Sequence, residues 1–147
     1  MEIVENRKAR FNYEILDEVE AGVVLLGTEV KSLRQKKANI SDAYAVFHGN
    51  ELFLVNSKIE PYSHAGMFQH EPTRARKLLL HQKELARLKG KLSQRGYTLL
   101  PLKLYFNKRG KVKVLLALAR GKKTHDKRQA IKERDLKREM ERELKGY

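Results

Sequence analysis

The chain has 147 residues, no cysteine and a formal charge of +14, from 32 Lys and Arg against 18 Asp and Glu. This excludes disulfides, cysteine-ligated zinc and thiol catalysis, and no run reaches the length of a membrane-spanning helix. It points to one domain with a polyanionic partner, nucleic acid before an anionic membrane, because so large a charge repels itself unless something neutralises it.

In chain order, Met1–Arg10 lacks the apolar centre of a secretion signal, so a cytoplasmic location is expected. Tyr13–Val19 alternates in part and predicts a strand. Gly22–Gly27 is an apolar run that predicts a second, with Glu20-Ala21-Gly22 as a tight connection. Thr28 is placed to cap a short helix reaching Arg34, with Val30, Leu33 and Leu26 facing inward. Ala43–Phe47 and Glu51–Val55 flank a turn at His48-Gly49-Asn50 and predict a hairpin. Lys58–Glu60 is a further strand, stopped by Pro61, and Tyr62–Thr73 reads as a loop.

Arg74–Lys77 leads into three leucines, Leu78 to Leu80. Leu85, Leu88 and Leu92 share a helical face within His81–Arg95, and Gly96 is the stop signal. Tyr97–Phe106 and Lys111–Ala119 predict the longest strands, joined by a turn at Asn107–Gly110. Beyond Thr124 the chain is charged, with a thin stripe of Ala130, Ile131, Leu136, Met140 and Leu144 at helical spacing. Such a helix is marginal alone and forms on meeting a partner. The pattern predicts a mainly β fold with flanking helices: a small antiparallel OB-like β-barrel over residues 1–120, then a basic tail over 121–147. That architecture lays nucleic acid across strands and loops.

The usual catalytic constellations are missing. The five histidines, His48, His64, His70, His81 and His125, lack metal-ligand spacing, and the common metalloprotease, hydrolase and dinucleotide-binding patterns do not occur. Gly121-Lys122-Lys123-Thr124 faintly echoes a phosphate loop, but Leu116 and Lys123 stand where that loop needs Gly and Ser or Thr. No enzyme, metal or cofactor is expected.

Four basic clusters remain: Arg7-Lys8-Ala9-Arg10, Lys31 to Lys37, Arg74-Ala75-Arg76-Lys77 and Arg120 to Arg128. Any one could be a solvated face; four on a small body favour phosphate binding, with its dependence on salt. His125 is either an exposed ring without a role or a plane that stacks on an unpaired base. Glu20 is either a turn carboxylate or an acceptor for a base or 2′-hydroxyl. Tyr62, Tyr97 and Tyr105 read as core or rim, and one exposed leucine of the triplet is a candidate contact.

These segments resemble the small protein B family, the bacterial SsrA-binding proteins that partner transfer-messenger RNA. The resemblance is carried by Asn6–Arg10, Glu20–Gly22, Gly27–Arg34, Lys37–Asp42, Arg76–Leu80 and Ala119–Arg128, in order along nearly the whole chain. It implies an RNA-binding adaptor that binds the tRNA-like domain of transfer-messenger RNA, as a monomer in a 1:1 complex. The adaptor carries that RNA to stalled ribosomes for tagging and rescue. It implies partners at the small-subunit decoding centre and the mRNA path, where the tail becomes helical and the histidine stacks on a base. Asn6, Glu20 and one leucine, taken as Leu80, match family positions linked to RNA binding. The basic residues around them, Arg7, Lys8, Arg10, Lys31, Arg34, Lys36, Arg76 and Lys77, join that set. Gly121, Lys122, Lys123, His125, Asp126, Lys127 and Arg128 match the tail motif linked to the ribosome. Glu60–Glu71 matches no motif and is assigned no role. The alternatives are a general basic RNA-binding or ribosome-associated protein, set apart by its preference for single strands, and a hydrolase, for which no nucleophile and base pair is visible.

Overall fold

The computed structural model describes residues 1–122 and 126–145; for 126–133, 135, 145 and Phe68 only the backbone is described. Nine strands are described: β1 (Glu2–Glu5), β2 (Tyr13–Val23), β3 (Ala38–Asn39), β4 (Tyr44–His48), β5 (Glu51–Val55), β6 (Lys58–Ile59), β7 (Arg76–Leu79), β8 (Tyr97–Phe106) and β9 (Val112–Gly121). The helices are α1 (Arg7–Asn12), α2 (Gly27–Arg34), α3 (Gln82–Leu92) and α4 (Asp126–Lys145), with one 3₁₀ turn at Gly66–Phe68. The fold is mainly β with flanking helices, as expected.

The sheet runs β1-β8-β4-β5-β7-β2-β9, and β9 pairs with β8 as well as with β2. Every pairing is antiparallel, so six strands close into a ring with β1 attached at β8. Closure leaves no long edge open to a second chain. A small pair, β3 with β6, sits beside it.

Alternation along the strands sorts apolar side chains onto two faces. Val112, Val114, Leu116 and Leu118 of β9 join Leu52, Leu54, Leu99 and Leu104, covered by Leu33 of α2 and Leu88 of α3. Ala117 and Ala119 join Tyr44, Val55, Leu100 and Leu102 on the other face, covered by Ala9 of α1 and Met140 of α4. Leu85 and Leu92 pack beside Leu88, as the spacing predicts.

Two local expectations are corrected. Glu20-Ala21-Gly22 is no turn: β2 runs unbroken for 11 residues, because β9 pairs with it from Tyr13↔Gly121 to Gly22↔Lys113. Gly22 serves close packing, since a Cβ there would stand 3.4 Å from Leu79 Cβ and 3.6 Å from Lys113 Nζ. Thr28 does not cap α2; the Leu26 N–H is taken by the Glu29 carboxylate at 2.7 Å, and Leu26 faces out rather than in. Of the three leucines, Leu78 and Leu79 lie on β7. The Gly49-Asn50 hairpin stands as predicted, with Gly49 at φ +63°.

Candidate nucleic-acid interface

Asn6 caps α1. Its Oδ1 accepts the Ala9 N–H at 3.3 Å, while Nδ2 donates to the carbonyls of Pro101 (3.0 Å) and Ile40 (3.3 Å). With the side chain 3% exposed, the expected direct contact with RNA is corrected: Asn6 ties α1 to β8 and to the loop before β4. What it positions is the row of Arg7, Lys8 and Arg10, all exposed on α1. Arg10 is paired with Glu18 at 3.0 Å, whereas Arg7 and Lys8 carry no ion pair among the described residues.

The same helix stands at the root of the tail. Tyr13 pairs with Gly121, the Lys122 N–H donates to Asn12 O at 3.3 Å, and Lys122 Nζ lies 6.0 Å from the Phe11 ring centroid. Two basic clusters about 110 positions apart in the chain thus meet at one end of the β2–β9 ladder. Lys123 and His125 lie outside the described residues, and the side chains of Asp126, Lys127 and Arg128 are not described.

Strand register builds a second patch. Leu79, Gly22, Lys113 and Tyr105 lie in one row across β7, β2, β9 and β8. Glu20 stands one pleat away on the same face, and the Tyr105 hydroxyl donates to its Oε2. Burial, then the Glu20 hydrogen bond and charge, push the Tyr105 hydroxyl pKa upward, so it stays a donor at neutral pH. Glu20 Oε1 takes no bond among the described residues and is available as an acceptor. Lys103 Nζ lies 5.4 Å from the Tyr105 ring.

The leucine expectation is corrected here. Leu80 packs against the core, whereas Leu79 is 51% exposed and borders Gly22. Sequence reasoning offered one exposed leucine of the triplet but took it as Leu80, read Tyr105 as core or rim, and gave Lys103 and Lys113 no role. They meet only through register, although the odd-even alternation of a strand at Arg76–Leu79 would have separated Leu79 from Leu78.

The Arg74–Lys77 cluster is mostly withdrawn from the surface. Arg76 is 1% exposed, so its assignment to RNA is corrected. Its Nε donates to Glu29 at 2.6 Å, Nη1 to Ser57 O and Oγ at 3.0 Å each, and Nη2 to Pro72 O at 3.0 Å and Glu71 O at 3.4 Å. That uses every donor of the guanidinium. Arg74 grips the same carboxylate at 2.6 and 3.0 Å. Burial alone would push the Glu29 pKa up; the bonds from Arg74 and the Leu26 N–H, with the charge and bond of Arg76, hold it below its ordinary value. Lys77 alone of the pair assigned to RNA is exposed, and it pairs with Glu51 at 2.8 Å.

The α2 cluster stays outside. Lys31, Arg34, Lys36 and Lys37 are exposed, with Lys31 Nζ 5.5 Å from the Tyr62 ring centroid. Lys36 sits at φ +58°. Its N–H bonds Leu33 O at 2.9 Å and the Lys37 N–H bonds Ser32 O at 3.1 Å, which is the Schellman ending of a helix. Glycine is the usual residue at that position; here it is a lysine.

Comparison with known proteins follows the same outline. The family model described as SmpB protein matches residues 3–146. An SsrA-binding protein of Rhizobium johnstonii is 57% identical over 145 residues, 99% of this chain and 96% of the relative. One from Bartonella henselae is 59% identical over 145 residues, 99% and 92% of the two chains. A solved chain from work described as "tmRNA-SmpB: a journey to the center of the bacterial ribosome" superposes with TM-score 0.71 at 52% identity, over 95% of this chain and 94% of that one.

Proposed function

This chain belongs to the SmpB, or SsrA-binding protein, family, and from that premise we propose how its geometry serves the family's task. It is an RNA-binding adaptor that binds transfer-messenger RNA through the tRNA-like domain and delivers it to stalled ribosomes for trans-translation. The observation that carries this is the family match over residues 3–146, with related chains sharing more than half of their residues along the whole length.

Residues 1–120 are the RNA-binding part and 121–147 the part that serves the ribosome. Within the body, Arg7 and Lys8 on α1 and Lys31, Arg34, Lys36 and Lys37 on α2 act on phosphates, which position the RNA without reading it. The row at Glu20 supplies discrimination. Leu79 offers an apolar contact, Glu20 Oε1 an acceptor for a 2′-hydroxyl or base amino group, and Lys113 a cation beside both. A 2′-hydroxyl donor is what separates RNA from DNA at such a site. Gly121 and Lys122 hold the tail motif next to α1, so Lys123, His125, Asp126, Lys127 and Arg128 start from a fixed root.

The test is binding to the tRNA-like domain of transfer-messenger RNA, against an ordinary tRNA and poly(U), across a salt series. The expected result is a preference for the tRNA-like domain that persists as salt rises. Equal binding that collapses with salt would leave only a general polyanion binder.

A further inference from the structure

The segment from Glu60 to Glu71 matches no motif, yet buried polar groups fasten both of its feet. At the first foot, Ser32 Oγ donates to Glu60 O at 2.8 Å and the Glu60 N–H donates to Lys37 O at 3.0 Å. At the second stands His70, 4% exposed; its Nε2 donates to Ile59 O at 2.9 Å and its Nδ1 meets the Thr28 hydroxyl at 2.8 Å. The Ile59 N–H donates to Pro72 O at 2.9 Å, and buried Arg76 adds its bonds to Glu71 O and Pro72 O. Buried polar groups are costly without partners, so these bonds hold the loop in one arrangement against α2 and β7.

The tip is fastened as well. Gln69 Oε1 accepts the Tyr62 N–H at 2.9 Å, and Gln69 Nε2 donates to Tyr62 O at 2.7 Å. The Ala65 N–H closes a turn on the same carbonyl at 3.1 Å, and Gly66 follows at φ +61°. This turn sets the Tyr62 and His64 rings edge to face, with centroids 5.5 Å apart. Tyr62 is half-buried, His64 is exposed, and Met67 beyond them is 89% exposed. Lys31 Nζ lies 5.5 Å from the Tyr62 centroid, and Arg34, three residues on, shares that side of α2. Neither cation carries an ion pair among the described residues, while the exposed Glu60 and Glu71 stay at the feet.

We propose that the Tyr62–Gln69 loop is a further RNA-binding site, which takes an unpaired nucleotide. The base stacks on the Tyr62 and His64 rings, and its phosphates sit on Lys31 and Arg34. Every base has a π-face, so stacking of this kind tolerates any sequence. Because the loop is already ordered, a ligand is spared the cost of ordering it. Positive charge beside the rings suits a nucleotide, and two rings with one methionine are a narrow apolar face for a protein partner. The phosphate contacts rest on the RNA-binding reading above; the stacking surface does not.

The chain has no tryptophan, so His64→Trp carries its only indole. Emission should fall at least about twofold on adding the tRNA-like domain of transfer-messenger RNA, or ribosomes free of that RNA, and the two arms tell which source supplies the base. His48→Trp, an exposed control on β4, should stay bright in both. In the arm that quenches, Tyr62→Ala/His64→Ala should bind about tenfold more weakly with an unchanged salt slope, and Tyr62→Phe/His64→Phe should restore most of the loss. A silent indole in both arms, an alanine pair that binds as the wild type does, or a loss that phenylalanine fails to restore would overturn the site. Ultraviolet cross-linking of the quenched complex should join residues 60–71 to RNA; a cross-link to a ribosomal protein alone would overturn the choice of ligand. If the wild type showed no preference for the tRNA-like domain over poly(U), the functional reading would fall, while a quench by poly(U) would still uphold the loop site.

Discussion

Arg76 and Lys36 come from clusters that look alike in sequence, Arg74–Lys77 and Lys31–Lys37, yet they meet opposite fates. Arg76 is sealed in the body with all its donors used on Glu29, Ser57, Pro72 and Glu71. Lys36 stands exposed at a helix end, in a backbone conformation that suits glycine. One cluster therefore holds the fold and the other is free for phosphate. Charge in a sequence counts candidate ligands; burial and hydrogen bonding decide which remain available.

The sharpest way to break this contrast is at Glu29. Glu29→Ala leaves two guanidinium groups without their carboxylate, one of them buried, and should cost about 3–5 kcal/mol of stability. Urea denaturation measures it, and a loss under 1 kcal/mol, the range of an exposed pair, would mean the cluster is solvated rather than sealed. RNA affinity of the protein that remains folded should hold.

Asn6→Ala comes next. It removes an N-cap and two further bonds, so a loss of about 2 kcal/mol is expected. The slope of RNA affinity against salt should not change, because Asn6 touches no phosphate; a changed slope would restore the direct-contact role. Lys8→Ala is the mirror of it, with near-normal stability and a salt slope smaller by about 0.9.

Acid should reach the sealed cluster before the open one. The Glu29 pKa is depressed in the folded state below its ordinary value of 4.5, so its contribution is complete above that value. As pH falls below 4.5, the unfolded chain takes up the proton first, and stability is lost until the folded carboxyl titrates too. Thermal melts from pH 7 downward should fall more steeply for the wild type than for Glu29→Gln, which has no such proton to bind. Parallel curves would remove Glu29 from the account.

The smallest effect is on the open side and has the opposite sign. Lys36→Gly should stabilise the fold by about 1 kcal/mol by relieving the left-handed backbone, while lowering the salt slope of RNA binding by about 1. A stability gain with an unchanged slope would place Lys36 outside the RNA contact.

Much of the fold was legible because its signals are local. The α3 stripe, the Gly49-Asn50 hairpin and the two long strands β8 and β9 each depend on neighbours within a few residues. β1 and β3 were missed because Glu2–Glu5 and Ala38–Asn39 have no pattern of their own and are strands only through their partners β8 and β6. The Gly22 turn was misread for a related reason: glycine signals a turn in sequence, but here it makes room for Leu79 and Lys113. At the candidate site, the chemistry of Glu20 and of the α1 cations is legible along the chain, whereas the row that joins Leu79, Lys113 and Tyr105 beside Glu20 is set by strand register alone.

The sequence by itself determined the class of partner, the family, and the order of the main strands and helices. These follow from net charge, short-range periodicity and motifs read along the chain. Only the tertiary structure decided that Arg76 is core while Lys36 is surface, that Leu79 and not Leu80 is exposed, and that Met140 is buried against Ala117 and Ala119. Each of those outcomes depends on what lies across a ladder or under a helix, and such neighbours are set by long-range pairing rather than by adjacent residues.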